Sequence, residues 1–383
     1  MTKWAGKYVI GLTGNIGTGK SVVRRMLEHL GAYGIDADAL SHRAIARGAP
    51  GYQPIVSTFG RWVLGPDGEI DRSKLGRLVF SDPEALITLE RIVHPLVNQA
   101  VNFLAQRAGQ KVIVIEAIKL LESSLVANCD SVWVTYAAPQ IQIARLVQKR
   151  RMSEADARQR VSAQPPQEEK ISAASVVIRN ELTFEDTWRQ VLAAWQRDVP
   201  EALQSTPAAA SETQTAASRP GEILVRRGRP RDSEEIAGII NRFNKDGRKV
   251  TRDDVMASFG EKAFLMLQYN NRAGGVMGWK VENLVARATD IYLDPAIPVD
   301  QAISALIVEM ERSSRDLQCE ASLVFVPSEL ANLTNIWQAL GYEPRKLDTL
   351  VVQAWQEAAE ETKSASTTLF FKQLRVDRVL RPI

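Results

Sequence analysis

Along its first 200 residues the chain alternates between short apolar runs and longer stretches with apolar residues at helical spacing. The runs at 8–12, 32–35, 111–115, 131–136 and 175–178 read as strands, and the nearly continuous ones as strands buried on both faces. Between the first two, Val22, Val23, Met26, Leu27 and Leu30 recur every three or four positions. That spacing predicts a helix over 21–30, with Gly31 as its C-terminal cap. Residues 50–70, richer in Gly, Pro and aromatics, read as an excursion from the core. Asp71-Arg72-Ser73-Lys74-Leu75 then opens a helix, and Ser81-Asp82-Pro83-Glu84 opens another that carries Leu86, Leu89, Ile92 and Val93 toward His94-Pro95. Strands with helices between them predict an α/β domain with a three-layer, parallel sheet and right-handed crossovers.

The pattern breaks at 200–220, where Ala, Ser, Thr, Glu, Gln and Pro dominate and Leu203 is the sole large apolar residue. Such a stretch cannot bury enough surface to order itself, so 201–220 is expected to be a flexible linker between domains at 1–200 and 221–383. The second domain opens with a strand at Ile223-Leu224-Val225 and a helix carrying Ile236, Ile239, Ile240 and Phe243. Strands are expected at 263–269, 274–281, 288–293 and 321–326, with a closing strand at 368–374. The charged helix at 352–363 reads as a surface insertion.

Chemistry enters between the first strand and the first helix. Gly14-Asn15-Ile16-Gly17-Thr18-Gly19-Lys20-Ser21 fits the phosphate-loop spacing, and both flanks are right. Its glycines let successive N–H groups point inward, and the helix N-terminus adds partial positive charge. Lys20 is placed to reach the β- and γ-phosphates of a nucleoside triphosphate, and the Ser21 hydroxyl to ligate Mg²⁺. The alternative, a glycine-rich turn with no ligand, has to ignore every filled position.

Asp36 and Asp38 end the second strand, where open α/β sheets bind ligands. Asp36 is a candidate general base for a substrate hydroxyl, with Asp38 helping to hold metal or substrate; the competing reading is an N-cap for a helix over 39–46, which a capping Asp38 would satisfy while leaving Asp36 free. His94 before Pro95 is either structural or a ligand for substrate phosphate. In 140–164 the cations Arg145, Lys149, Arg150, Arg151, Arg158 and Arg160 recur at about one helical turn. They form either a solvated face or a lid that neutralises charge on a transferred phosphoryl group.

Composition narrows the field. Hydrophobic residues make up 45% and charged residues 24% of 383 positions, with a formal net charge of +3, which gives no case for nucleic acid. The two cysteines, Cys129 and Cys319, form neither a disulfide framework nor a metal spacing, which suits a reducing cytoplasm. No signal peptide or membrane span is expected.

Taken in order, Gly11-Leu12-Thr13-Gly14 through Ser21, Ile35-Asp36-Ala37-Asp38, Asp71-Arg72 with Leu75, Val79-Phe80, Ile92-Val93-His94-Pro95, Glu116-Ala117, Leu120-Leu121-Glu122, Arg145-Leu146, and Ser153-Glu154 through Ala163-Gln164 resemble the dephospho-CoA kinases, P-loop proteins of the nucleoside-monophosphate-kinase type. The resemblance implies transfer of the ATP γ-phosphate to the 3′-hydroxyl of dephospho-CoA, the last step of coenzyme A synthesis, with ATP and Mg²⁺. It implies Asp36 as base, Lys20 and Ser21 at phosphate and Mg²⁺, and Arg145 as a lid cation. Asp38, Arg72, His94 and Glu116 become candidate substrate residues. The chain departs from the family at Ile118, where Pro is usual, and at Lys119, where an apolar residue is usual. A common lid arginine aligns with Lys149, beside Arg150. Ala174-Ser175 and Ile178-Arg179-Asn180 replace Ala-Asp and Ile-Asp-Asn.

The second half resembles the GNAT acetyltransferases, an α+β fold with a mixed sheet, through Arg229-Pro230-Arg231-Asp232 and its helix and through Asn332 to Gly341-Tyr342. Where that fold needs a glycine-rich pyrophosphate turn, this chain reads Leu293-Asp294-Pro295-Ala296-Ile297-Pro298-Val299-Asp300. Two prolines remove donors and two aspartates repel phosphate, so a non-catalytic domain is expected. The alternatives are a bifunctional kinase and acetyltransferase, or an ATP-binding regulatory protein. A homo-oligomer through either domain is compatible with the sequence.

Overall fold

The computed structural model describes residues 4–204, 221–244, 247, 249–362, 367–377 and 379–380; most of the expected linker lies outside them. The chain divides into two compact units, one of Met1–Lys20, Tyr33–Val177 and Asp377–Ile383, the other of Ser21–Ala32 and Ile178–Val376.

The first sheet has five strands in the order β2-β3-β1-β4-β5, formed by Tyr8–Thr13 (β1), Tyr33–Asp36 (β2), Val112–Glu116 (β3), Ser131–Tyr136 (β4) and Val176–Arg179 (β5). β1 lies parallel between β3 and β4, and β2 is parallel to β3. The strand centres Val9, Ile10, Leu12, Val112 to Ile115 and Trp133 are buried, as near-continuous apolar runs require. The helices between them are α1 (Lys20–His29), α2 (Ala37–Ala44), α3 (Tyr52–Phe59), α4 (Arg72–Ser81), α5 (Pro83–Arg107), α6 (Pro139–Arg150), α7 (Glu154–Ser162) and α8 (Gln167–Ser172), with α9 (Phe184–Asp198) after β5. Start signals do the work expected of them: Asp71 caps α4 through the Ser73 and Lys74 amides, and Asp82 caps α5 through Glu84 and Ala85. α5 runs on through Pro95 to 25 residues because Val93, Val97, Ala100, Val101 and Leu104 give it one continuous buried face.

The second sheet is mixed, as expected, with seven strands in the order β11-β12-β10-β9-β8-β7-β6. In chain order the elements are β6 (Ile223–Arg227), α10 (Ser233–Phe243), α11 (Arg252–Ser258), β7 (Ala263–Tyr269), β8 (Arg272–Glu282), β9 (Val285–Leu293), α12 (Val299–Asp316), β10 (Ala321–Pro327), α13 (Ser328–Ala331), α14 (Thr334–Ala339), β11 (Glu343–Pro344), α15 (Gln353–Thr362) and β12 (Thr367–Gln373). β9 and β10 are parallel from Val285 to Ala288, while β6–β7, β7–β8, β8–β9, β10–β12 and β11–β12 are antiparallel. Period-2 alternation splits the core. Leu265 and Leu267 join Ile303, Leu306 and Met310 of α12, whereas Phe264 and Met266 join Ile236, Ile240 and Val255 of α10 and α11.

One expectation changes. The helix at 352–363 is not a surface insertion: Trp355, Ala358 and Ala359 of α15 are buried with Leu323, Phe325 and Leu369. The apolar face is hidden in the sequence by the glutamates on its other side. Arg287, 1% exposed, closes the C-terminal end of this helix by donating to Ala358 O, Glu361 and Thr362 Oγ1, and it also pairs with Glu282.

The unit that holds Ser21–Ala32 has its own seam. His29 Nε2 donates to the Phe259 carbonyl at 3.0 Å, and its ring lies edge-on to Phe259 and Trp188 at 5.4 and 6.4 Å. Phe184 stacks on Trp188, Arg25 donates to Glu261 O, and a Cβ on Gly260 would stand 3.2 Å from Val22 and 3.3 Å from Phe184.

Candidate active site

The phosphate loop joins β1 to α1, at the C-terminal edge of the parallel strands. Gly14 and Gly17 take positive φ, at 149° and 76°. A Cβ on Gly14 would meet Thr135 Oγ1 at 2.4 Å, and one on Gly17 would meet the Gln142 backbone at 3.0 Å, so the loop has no room for side chains there. Thr18 Oγ1 bonds both Asn15 O (2.8 Å) and Thr135 Oγ1 (2.7 Å). Two residues where the charged segment ends hold the loop from outside. Gln164 Oε1 accepts from Ile16 N at 2.6 Å, and Pro165 O accepts from Asn15 Nδ2 at 2.9 Å.

Lys20 is buried at 8% exposure, and its Nζ donates to Gly14 O (3.0 Å) and Asn15 O (3.3 Å). Burial pushes this ammonium below its usual range; the carboxylates of Glu116, Asp38 and Asp36 pull it back up, and Arg150 pushes it down. Five of the expected site residues are thereby joined in one electrostatic group around Lys20. Arg145 reaches the same loop, donating to Gly17 O at 3.1 Å. Ser21 is exposed in the first turn of α1. Lys149 and Arg150 are exposed at the end of α6, where Arg151 turns left-handed (φ 53°) before α7.

The carboxylates divide their work differently from the expected capping. Asp36, not Asp38, caps α2: its Oδ1 accepts from Ala39 N at 2.8 Å, because the helix begins at Ala37 rather than Ala39. Asp38 Oδ2 instead accepts from Ile118 N at 3.0 Å. Burial raises the Asp38 carboxyl above the carboxylate range, with Lys20, the Ile118 amide and Lys170 working against the shift and Glu116 with it. Glu116 ends β3 in register with Asp36 and is buried at 3% exposure. Arg72 and His94 are not among the groups these interactions join. Arg72 is exposed in the first turn of α4 and acts on His42, whose pKa burial lowers to about 4, and His94 is exposed on α5.

Gln164, Pro165 and Lys170 carry site contacts that the sequence did not single out as site chemistry. Lys170, on α8, is buried and donates to Ile118 O at 2.7 Å. Its partners lie far away in sequence, and a six-residue helix carries too little periodicity to show which face is buried.

These donors suit a triphosphate: a loop closed to side chains, a helix N-terminus and a buried lysine at its mouth. Among the described residues, no helix is long and apolar enough to cross a membrane. The family model for dephospho-CoA kinase matches residues 8–186. A dephospho-CoA kinase of Geobacter metallireducens is 43% identical over 194 residues, covering 50% of this chain and 96% of the relative. One from Streptomyces avermitilis is 43% identical over 187 residues, covering 49% and 91%. A solved GNAT-family acetyltransferase from Streptococcus pneumoniae is 14% identical, covers 40% of this chain and 99% of its own, and superposes with a TM-score of 0.31. The chain belongs, through its first half, to the dephospho-CoA kinase family.

Proposed function

We propose that the chain moves the γ-phosphate of ATP to the 3′-hydroxyl of dephospho-CoA, giving coenzyme A and ADP, with the machinery in residues 1–200. The observation that carries this reading is the Lys20 ammonium held among the phosphate-loop carbonyls and electrostatically joined to Asp36, Asp38 and Glu116. Donor and acceptor sides of a phosphoryl transfer are thus gathered at one strand edge.

The loop N–H groups and Lys20 bind the β- and γ-phosphates of ATP. Asp36 takes the proton from the ribose hydroxyl as its oxygen bonds to phosphorus and the bond to the ADP oxygen breaks. Asp38 and Glu116 orient the acceptor, and Arg72 and His94 remain the candidates for its more distant groups. Arg145, with Lys149 or Arg150, balances the charge that spreads over the transferred group. Mg²⁺, which the Ser21 hydroxyl would help to hold, would supply positive charge against the charge that builds on the leaving group.

The test is incubation of the full chain with ATP, Mg²⁺ and dephospho-CoA, with product read by mass spectrometry. Coenzyme A formed with stoichiometric ADP is expected; ADP without coenzyme A would overturn the reading.

The second half, 221–383, joined to the first through 201–220, is proposed to be non-catalytic. Asp294 occupies the donors a pyrophosphate would need: its Oδ1 accepts from Ala296 N at 2.9 Å and its carbonyl from Ile297 N at 3.0 Å, with Pro295 and Pro298 lacking an N–H. Hydrogen exchange over 293–299 should be unchanged by acetyl-CoA. Protection there, with acetyl transfer to an amine, would instead favour a bifunctional enzyme.

A further inference from the structure

Lys170 has a place in the site that the proposed chemistry has not yet used. A buried ammonium is costly unless it is hydrogen-bonded and faces opposite charge. This one is 4% exposed and donates to Ile118 O at 2.7 Å, an oxygen that also accepts from Thr13 Oγ1 at 3.0 Å. The same residue's N–H donates to Asp38 Oδ2 at 3.0 Å. Ile118 is therefore held by its carbonyl from one side and holds Asp38 with its amide on the other. Glu122, Asp38 and Glu169 offer Lys170 opposite charge, while Lys20 repels it.

Residue identity matters here. Proline, usual at position 118 in the resembled family, has no N–H to give Asp38. With isoleucine the contact exists, and its aim depends on what fixes the Ile118 backbone.

We propose that Lys170 is a positioning residue for the acceptor side of the site, acting on Asp38 through the Ile118 backbone. The proposal rests on the phosphotransfer reading. Lys170 touches no loop carbonyl that Lys20 uses, so its removal separates acceptor orientation from ATP binding.

The experiment is initial-rate kinetics on the full chain with Lys170→Met, Lys170→Arg and, as control, Lys119→Met, an exposed lysine paired with Glu90 at 3.1 Å. For Lys170→Met, kcat/KM for dephospho-CoA falls about 10- to 100-fold, as for other residues that orient a ligand from behind, while KM for ATP stays within about twofold. Lys170→Arg restores the donor and recovers to within about threefold of wild type. Amide exchange at Ile118, read without any substrate, speeds up in Lys170→Met and not in the control. Should Lys170→Met lose its fold, Thr13→Val removes the other donor to the same carbonyl and should show the same split. Unchanged acceptor kinetics with unchanged Ile118 exchange would overturn the proposal, as would a KM for ATP that rises in step. Wild-type chain that makes no coenzyme A would instead overturn the phosphotransfer reading, leaving the exchange experiment to decide the Lys170–Ile118 link.

Discussion

Asp36 Oδ1 accepts the Ala39 amide at 2.8 Å, so the carboxylate proposed as the base is also the N-cap of α2. The two roles separate by substitution. Asn caps a helix as well as Asp does but cannot take a proton at neutral pH. Asp36→Asn should lower kcat by on the order of 10²- to 10⁴-fold with little change in thermal stability. Asp36→Ala should lose the activity and also about 1 kcal/mol of stability. Equal loss of stability in both would show that the cap is not what Asp36 supplies.

His29 gives a pH dependence. Burial, with Arg227 and Arg25 nearby, lowers its pKa to about 3, from an ordinary 6.5; the bond to Phe259 O works in the other direction. The unfolded chain therefore binds a proton that the folded chain refuses between those values. This stability is complete above pH 6.5 and is lost as pH falls toward 3, at about 1.4 kcal/mol per pH unit. His29→Gln keeps an N–H for Phe259 O without titrating. Its melting temperature should fall less than that of wild type between pH 7 and 4, as scanning calorimetry at both values would reveal.

The lid cations can be ranked. Arg145 donates to Gly17 O, and Arg150 acts electrostatically on Lys20. Arg145→Met should cost on the order of 10³-fold in kcat, the scale of an arginine that meets transition-state charge. Arg150→Met should cost more than Lys149→Met. The reverse order in steady-state kcat would move the assignment to Lys149.

α15 offers a test of the second half alone. Trp355 is 2% exposed, so Trp355→Ala should cost about 3–5 kcal/mol of that half's stability. Glu361, by contrast, is 63% exposed where it meets Arg287, and Glu361→Ala should cost less than about 1 kcal/mol. Thermal melting of both variants separates a docked helix from a loose one.

The parts of this molecule that could be read from sequence are those whose physics is local. The phosphate loop needs glycines at set spacing, Asp71 and Asp82 announce their helices, and the strands of both sheets, the two-residue β11 apart, fall within a few residues of where their apolar runs place them. What could not be read depends on contacts across the chain. Lys170 meets Ile118 across 52 positions, and Ile16 meets Gln164 across 148. The exchange of roles between Asp36 and Asp38 turned on a start of α2 two residues early, a shift no composition signals.

α1 begins in the phosphate loop, yet Ser21–Ala32 belongs to the compact unit of Ile178–Val376. A chain cut after residue 204 would lose Phe259 and Gly260 from the flank of that helix, baring Val22, Phe184, Trp188 and the unprotonated ring of His29 to water. Such a fragment would carry an apolar scar along α1 and be prone to stick to itself.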